Sequence, residues 1–414
     1  MSDADYDVIV AGGGSAGVGA AVGAAQSGAK VLVVERAGFL GGAATLSQVL
    51  AWCGFYPQTA GMTPEPVVGG VGRRALDHLQ ALGMDVAPYF SASGNWPIRL
   101  NPEATKLALD RTLSESDAQL ALHSDIVGVA HASGRIETSE TRDPRGRREI
   151  SATAFVDATG DAELAFLAGA TPCPLHEGDC QPASFPVRIS GVSPGASLDK
   201  AERAQCLSAI SRRVGRAELR ADGGILTALP GTADLWWLAI DVETNGLDAS
   251  DLTVAEGDGR ELAWLAVRAL TDMPGFENAS VGATGPKIGI RETRHARTME
   301  PLRESVLLGG IRPGGTVALG GWPMEILHGP GLAEYRSIGG DGVYGISLDA
   351  LKSHDFHNVF LAGRCIGADS AAYASARVMG TAFATGHATG VAAALEGADL
   401  AGIQGELVRQ NAIL

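Results

Sequence analysis

The sequence predicts an α/β fold in which a parallel-sheet domain is assembled from both ends of the chain, with an α+β domain inserted between them. Three observations carry that expectation. A buried strand, a glycine-rich turn and a helix of small residues open the chain. A second buried strand with a small-residue helix recurs near its end, over 358–362 and 380–395. Finally, 414 residues exceed what a single compact core organises, so two lobes are expected. The boundaries that follow are 1–171 for the first part of the sheet domain, 172–340 for the insertion and 341–414 for the return segment.

Residues 6–11 (YDVIVA) form an apolar run suited to a buried parallel strand. Gly12, Gly14 and Gly17 then satisfy GxGxxG. Val18 to Gln26 is small and apolar, a helix able to press on a sheet, and Lys30 to Val34 is a second strand closed by Glu35. The three glycines serve different ends. Gly12 permits the turn, Gly14 lets a pyrophosphate touch backbone, and Gly17 lets helix meet strand. The helix N-terminus offers free N–H groups to phosphate. Glu35 follows Gly17 by 18 residues, where a carboxylate accepts bonds from ribose hydroxyls and repels the 2′-phosphate of NADP. At this point FAD and NAD both remain open.

Three later features favour FAD. From Ala37 to Pro64 no side chain is formally charged, although Gly, Thr and Pro abound. Cover for a flat apolar ring system accounts for such a loop, and an ordinary buried loop is the competing reading. Residues 152–160 (ATAFVDATG) form a strand ending in Ala158-Thr159-Gly160, with Asp161 as the expected N-cap of a helix. The same run is also plain turn chemistry. Residues 358–362 lead into Gly363-Arg364, and the helix from Gly380 to Leu395 would stabilise negative charge on a reduced ring.

These segments together resemble the FAD-dependent oxidoreductase family with the glutathione-reductase-like, two-dinucleotide-binding-domain fold, distant kin of fumarate reductase and succinate dehydrogenase flavoproteins. The matching runs are AGGGSAGVGAAVGAAQSGAKVLVVERAGFLGG, FVDATGDAELAFLAGA, MPGFENA with GIRETR, and NVFLAGRCIGADSAAYASARVMGTAFATGHATGVAAA. The resemblance implies a discontinuous Rossmann-like FAD-binding domain with an inserted substrate domain. It implies flavin contacts at Gly12, Gly14, Ser15, Ala16, Gly17, Glu35, Arg36, Gly41, Gly42, Ala44 and Thr45. Ile126 would meet the adenine, and Ala158, Gly160, Asp161, Gly363, Arg364, Met379, Gly380 and Thr381 would surround the ring or pyrophosphate. Two departures stand out. Asp349 occupies a place usually basic in the family, and Arg291-Glu292-Thr293-Arg294-His295 replaces Arg-Glu-Ser-Arg-Arg.

Flavin dehydrogenation needs a base and a substrate anchor beside the cofactor. His328 is the first candidate for proton transfer, because imidazole changes charge near neutral pH; a surface histidine in a Gly-Pro loop is the competing reading. Arg377 and Arg291 are candidate clamps for a carboxylate or for reduced flavin, and Tyr373 is a further candidate. Arg291 equally suits a structural ion pair, and His387 suits helix packing. Cys53 lies in the uncharged loop, where a covalent flavin link is conceivable. The expected reaction is dehydrogenation of a small organic metabolite, with flavin monooxygenation or C=C reduction as the alternatives. An Asp-Gly signature expected of a monooxygenase is not what DATGD offers.

The remaining composition excludes other classes. A net charge of −15 with no long basic run disfavours nucleic acid and anionic membrane as partners. Arg142 to Arg148 is expected to be a solvated hairpin tip. Five cysteines without a CxxC pair argue against a metal site or a disulfide scaffold. Residues 378–395 are too rich in Gly, Ala and Thr for a membrane span, and the first strand starts at once, so a cytoplasmic location is expected.

Overall fold

Alternation along the first strand sets the architecture. In β1 (Tyr6–Ala11), Val8 and Val10 point into one apolar core while Ile9 and Ala11 point into another, so the sheet is buried on both faces. The computed structural model describes residues 4–59, 64–91, 93–173 and 180–414. Residues 60–63 of the uncharged loop and 174–179 of the expected insertion lie outside these.

The main sheet has seven strands. β1 lies parallel to β2 (Val31–Val34) on one side and to the long strand Gly146–Asp157 on the other. The strand Val359–Leu361 pairs in parallel with Phe155–Asp157, which brings the C-terminal segment into the sheet begun at residue 6. The outer half of Gly146–Asp157 continues as an antiparallel hairpin with Arg135–Asp143, whose exposed tip carries Arg145 and Arg147 as expected. This mixed sheet with a parallel centre is the predicted α/β, Rossmann-like class.

Against one face lie α1 (Ser15–Gln26) and the helix Met379–Ala394. They cross at backbone distance: a Cβ on Gly386 would stand 2.0 Å from the Ala16 carbonyl oxygen. Small residues on both helices are what permit that approach.

A second core gathers apolar residues between Ala183 and Ile290. Its four-stranded antiparallel sheet (order Ile225–Ala228, Leu235–Leu238, Val187–Ser190, Ser280–Thr284) is covered by helices Lys200–Val214 and Ala249–Leu270. From Leu302 the chain rejoins the first core, earlier than the boundary expected at 340. Adjacent tryptophans tie the two cores: Trp237 is buried in the second, whereas Trp236 faces the first and donates to the Gln48 carbonyl at 2.7 Å. No helix among the described residues is long and apolar enough to cross a membrane.

Candidate functional site

The strand–turn–helix at the N-terminus opens onto a cleft of about 1100 Å³, counting its solvent-open mouth. Gly12 adopts φ +94°, and a Cβ there would strike the Ala158 carbonyl at 2.6 Å, so the turn requires glycine. Gly17 sits behind the turn, where a Cβ would lie 1.8 Å from the Gly12 carbonyl oxygen. Gly14 differs. A Cβ on it would meet only Gly42 Cα at 3.8 Å, so within the protein it borders open space. Gly14 also caps α1 without any side-chain hydrogen bond, and Ser15 Oγ, buried at the next position, has no partner among the described residues. An uncapped helix start with an orphaned hydroxyl suits an anion.

Around this start the cleft is lined by Ala16, Glu35, Arg36, Gly41, Gly42, Ile126, Ala158, Gly160, Asp161, Gly363, Arg364 and Met379, all expected from the sequence. Ala44, Thr45, Gly380 and Thr381 stand behind the wall instead: Thr45 Oγ1 donates to the Leu40 carbonyl at 2.8 Å, and Gly380 packs on the Cys53 carbonyl. Lining residues for which the sequence offers no motif include Leu46, Ser47, Asp125, Glu163, Lys287 and Ile288.

Glu35 is buried at the tip of β2, accepting from Gly13 N (2.6 Å) and Ala37 N (2.7 Å), and a carboxylate retains further acceptor capacity. Asp161 is not the expected helix cap. The short helix Glu163–Leu167 is capped by Ala162 with no side-chain bond, while Asp161 Oδ1 accepts from Thr293 Oγ1 (2.9 Å) and Arg364 Nη2 (3.2 Å). A half-buried guanidinium needs a counter-charge, and that demand outweighs an amide cap. Burial opposes ionisation of Asp161, yet Arg364, Lys287 and Thr293 hold its carboxyl below the ordinary value. Arg364 is itself half-buried, and its Nη1, shut off from solvent, has no partner among the described residues.

The four candidate catalytic residues do not share one site, although Tyr373 bonds the backbone of Arg291. Arg377 lines the cleft beside Met379; its Nη2 reaches Gln181 Oε1 (3.3 Å) and the Glu325 carbonyl (3.4 Å), and its Nε has no partner among the described residues. Arg291 is committed to the buried Asp241 at 2.8 Å and to the Pro182 carbonyl. Tyr373 is fully buried behind the wall, donating to the Arg291 carbonyl at 2.9 Å, with the His295 ring edge-on at 4.4 Å. His328 lies outside the lining, 57% exposed on its hairpin turn and paired with Glu334 at 2.9 Å. Such a turn is polar and solvated, which is why its imidazole faces water. Asp349 is also exposed and outside the lining, as is expected of a residue free to depart from a family pattern.

Three residues before His328, Glu325 lies half-buried on the strand Met324–Leu327, outside the cleft lining. Its oxygens accept from Tyr335 Oη (2.8 Å) and Trp322 Nε1 (3.3 Å). Cys53 lies in the same neighbourhood; burial, and then the charge of Glu325, push its thiol up against the opposing pull of Arg377. A thiol kept protonated is a poor nucleophile for a covalent flavin link. Glu325 was legible as the acid of WPMEILH, and its offset from His328 along a strand was the available signal.

A parallel sheet, a glycine turn and an uncapped helix start facing a long cleft define a dinucleotide-binding protein. The chain belongs to the FAD dependent oxidoreductase family, whose model matches residues 7–405, and its cofactor is FAD. The orphaned Ser15 and Arg364 groups and the open space at Gly14 fit that cofactor. No curated protein matches the chain. Among solved structures it is similar to p-nitrophenol 4-monooxygenase from Pseudomonas putida (13% identity, 97% of this chain and 83% of that one, TM-score 0.49). It is also similar to anhydrotetracycline hydroxylase from Streptomyces rimosus (13%, 98% and 65%, 0.47). A third is a geranylgeranyl bacteriochlorophyll reductase-like protein from Thermoplasma acidophilum (14%, 99% and 80%, 0.46). The chain thus spans 65% of the length of the hydroxylase.

Proposed function

We propose that this protein dehydrogenates a small organic metabolite bearing a carboxylate or similar anion. Bound FAD supplies the two-electron acceptor; the chain's residues anchor the substrate and take the proton. The observation that carries the reading is Arg377, a cleft-lining guanidinium that among the described residues bonds only neutral oxygens and leaves its Nε without a partner. A cation so placed is suited to an anionic group, which it can bind in fork geometry.

Glu325 is the proton acceptor in this reading. Two neutral donors, Tyr335 and Trp322, fix its carboxylate without neutralising it, and its own backbone carbonyl touches Arg377. Gln181 and Glu325 supply the substrate side, while the two ends of the chain hold the cofactor. His328, exposed and paired to Glu334, has no part in proton transfer.

The test is rapid-reaction flavin reduction under anaerobic conditions. Glu325→Gln is expected to retain FAD and slow reduction about a hundredfold or more, the usual contribution of a general base, with His328→Ala unchanged. Wild-type reduction by Glu325→Gln, or a large loss in His328→Ala, would reverse these assignments.

A further inference from the structure

We propose that Lys287, brought to the cleft by the inserted lobe, binds the FAD pyrophosphate and so makes cofactor binding fasten the two lobes together. This role does not depend on the substrate proposed above.

Four cations line the cleft: Arg36, Lys287, Arg364 and Arg377. Arg36 is paired with Glu163 at 3.0 Å and Arg364 with Asp161 at 3.2 Å, whereas Arg377 rests on Gln181 and a carbonyl. Lys287 forms no ion pair among the described residues. Its surroundings make that costly. Burial, Arg36 and Arg364 all lower the proton affinity of its ammonium, and Asp161 and Glu163 only partly offset them. Both of those carboxylates are already engaged by guanidiniums. The Lys287 ammonium is thereby left without a carboxylate of its own among the described residues, and an anion in the cleft would satisfy it.

A second observation points to the same anion. Ser15, 5% exposed and lining the same cleft, keeps its Oγ without a partner at the uncapped start of α1. Lys287 is also held by backbone. Its N–H donates to the Leu46 carbonyl (3.1 Å), and Ser47 Oγ donates to the Ile288 carbonyl (3.1 Å). Further along, Thr293 and Arg294 bond Asp161 at 2.9 and 3.0 Å. The segment 284–294 therefore straps across the cleft between the loop after β2 and the turn at 158–161. A diphosphate is the anion favoured here, because it would bridge Ser15 and the first turn of α1 on one lobe to an ammonium on the other.

The experiment titrates full-length apoprotein with FAD, ADP and riboflavin, following flavin fluorescence or heat, for the wild type, Lys287→Ala and Lys287→Arg. Losing one charge-assisted contact should weaken FAD and ADP about ten- to a hundredfold, leave riboflavin unchanged and flatten the salt dependence. Lys287→Arg should retain most of the affinity. FAD should also raise the melting temperature of Lys287→Ala less than that of the wild type. Unaltered FAD and ADP affinity overturns the proposal. So does an equal loss for riboflavin, or a change confined to substrate KM, which would assign Lys287 to an anionic substrate. Apoprotein melting curves separate loss of charge from loss of fold, and Lys287→Gln repeats the comparison if Lys287→Ala does not fold.

Discussion

At Gly14 the protein leaves space that its own atoms do not use, with only Gly42 Cα within 4 Å of a notional Cβ. Gly14→Glu would place a carboxylate at the uncapped start of α1, filling that space with the wrong charge. The expected outcome is loss of FAD binding with the fold retained, read by the flavin content of purified protein against its circular dichroism. His387 carries a second residue-level prediction. Burial, against the raising effect of its 2.7 Å bond to Gln410, lowers its pKa from 6.5 to about 4. A base depressed on folding contributes stability that is complete above the unfolded value of 6.5 and is lost as pH falls towards 4. The loss across that window should approach roughly 3 kcal/mol. Urea midpoints at several pH values would show it, and His387→Gln should remove that part of the slope. The sequence exposed the residues whose backbone the site needs, such as Gly12, Gly14 and Gly363. It did not expose Lys287, because a lone cation in a Gly-Pro-Lys-Ile turn has neither period nor motif to announce it.

Among the elements, β1 and β2 were legible almost to the residue, and α1 at its C-terminal end although it starts at Ser15 rather than Val18, since strand period, glycine turn and small-residue helix agree there. Two element-level expectations fared differently. Asp161 looked like a helix cap but answers the half-buried Arg364, a tertiary demand that local sequence does not contain. His328 was the candidate because imidazole changes charge near neutral pH, yet the hairpin turns at that point and leaves it to water. The helix Met379–Ala394 crosses α1 through its glycines. Gly386→Val should destabilise the protein by about 1–3 kcal/mol or more, since its Cβ would stand 2.0 Å from the Ala16 carbonyl oxygen. Because Ala16 lines the cleft, FAD affinity should fall as well. An unchanged denaturation midpoint would show that the helices can separate without cost.

For the whole molecule, the return of the chain to its first sheet places cleft-lining residues at both ends of the sequence, from Gly12 to Met379. Lys287 and Ile288 help complete the cleft, and Gln181 meets Arg377. With this organisation, FAD and an anionic substrate together should hold the lobes, with Arg377 answering only to the substrate. Arg377→Ala should therefore raise KM while sparing FAD content; loss of flavin would place Arg377 with the cofactor instead. The most direct measurement is the absorbance of the purified, FAD-loaded protein near about 450 nm, the flavin band, during anaerobic addition of small carboxylate-bearing metabolites without any nicotinamide. Bleaching by at least one of them is the expected result. A flavin that stays oxidised until NADPH is added, followed by an oxygen-derived hydroxyl group in the product once air is admitted, would contradict the dehydrogenase assignment.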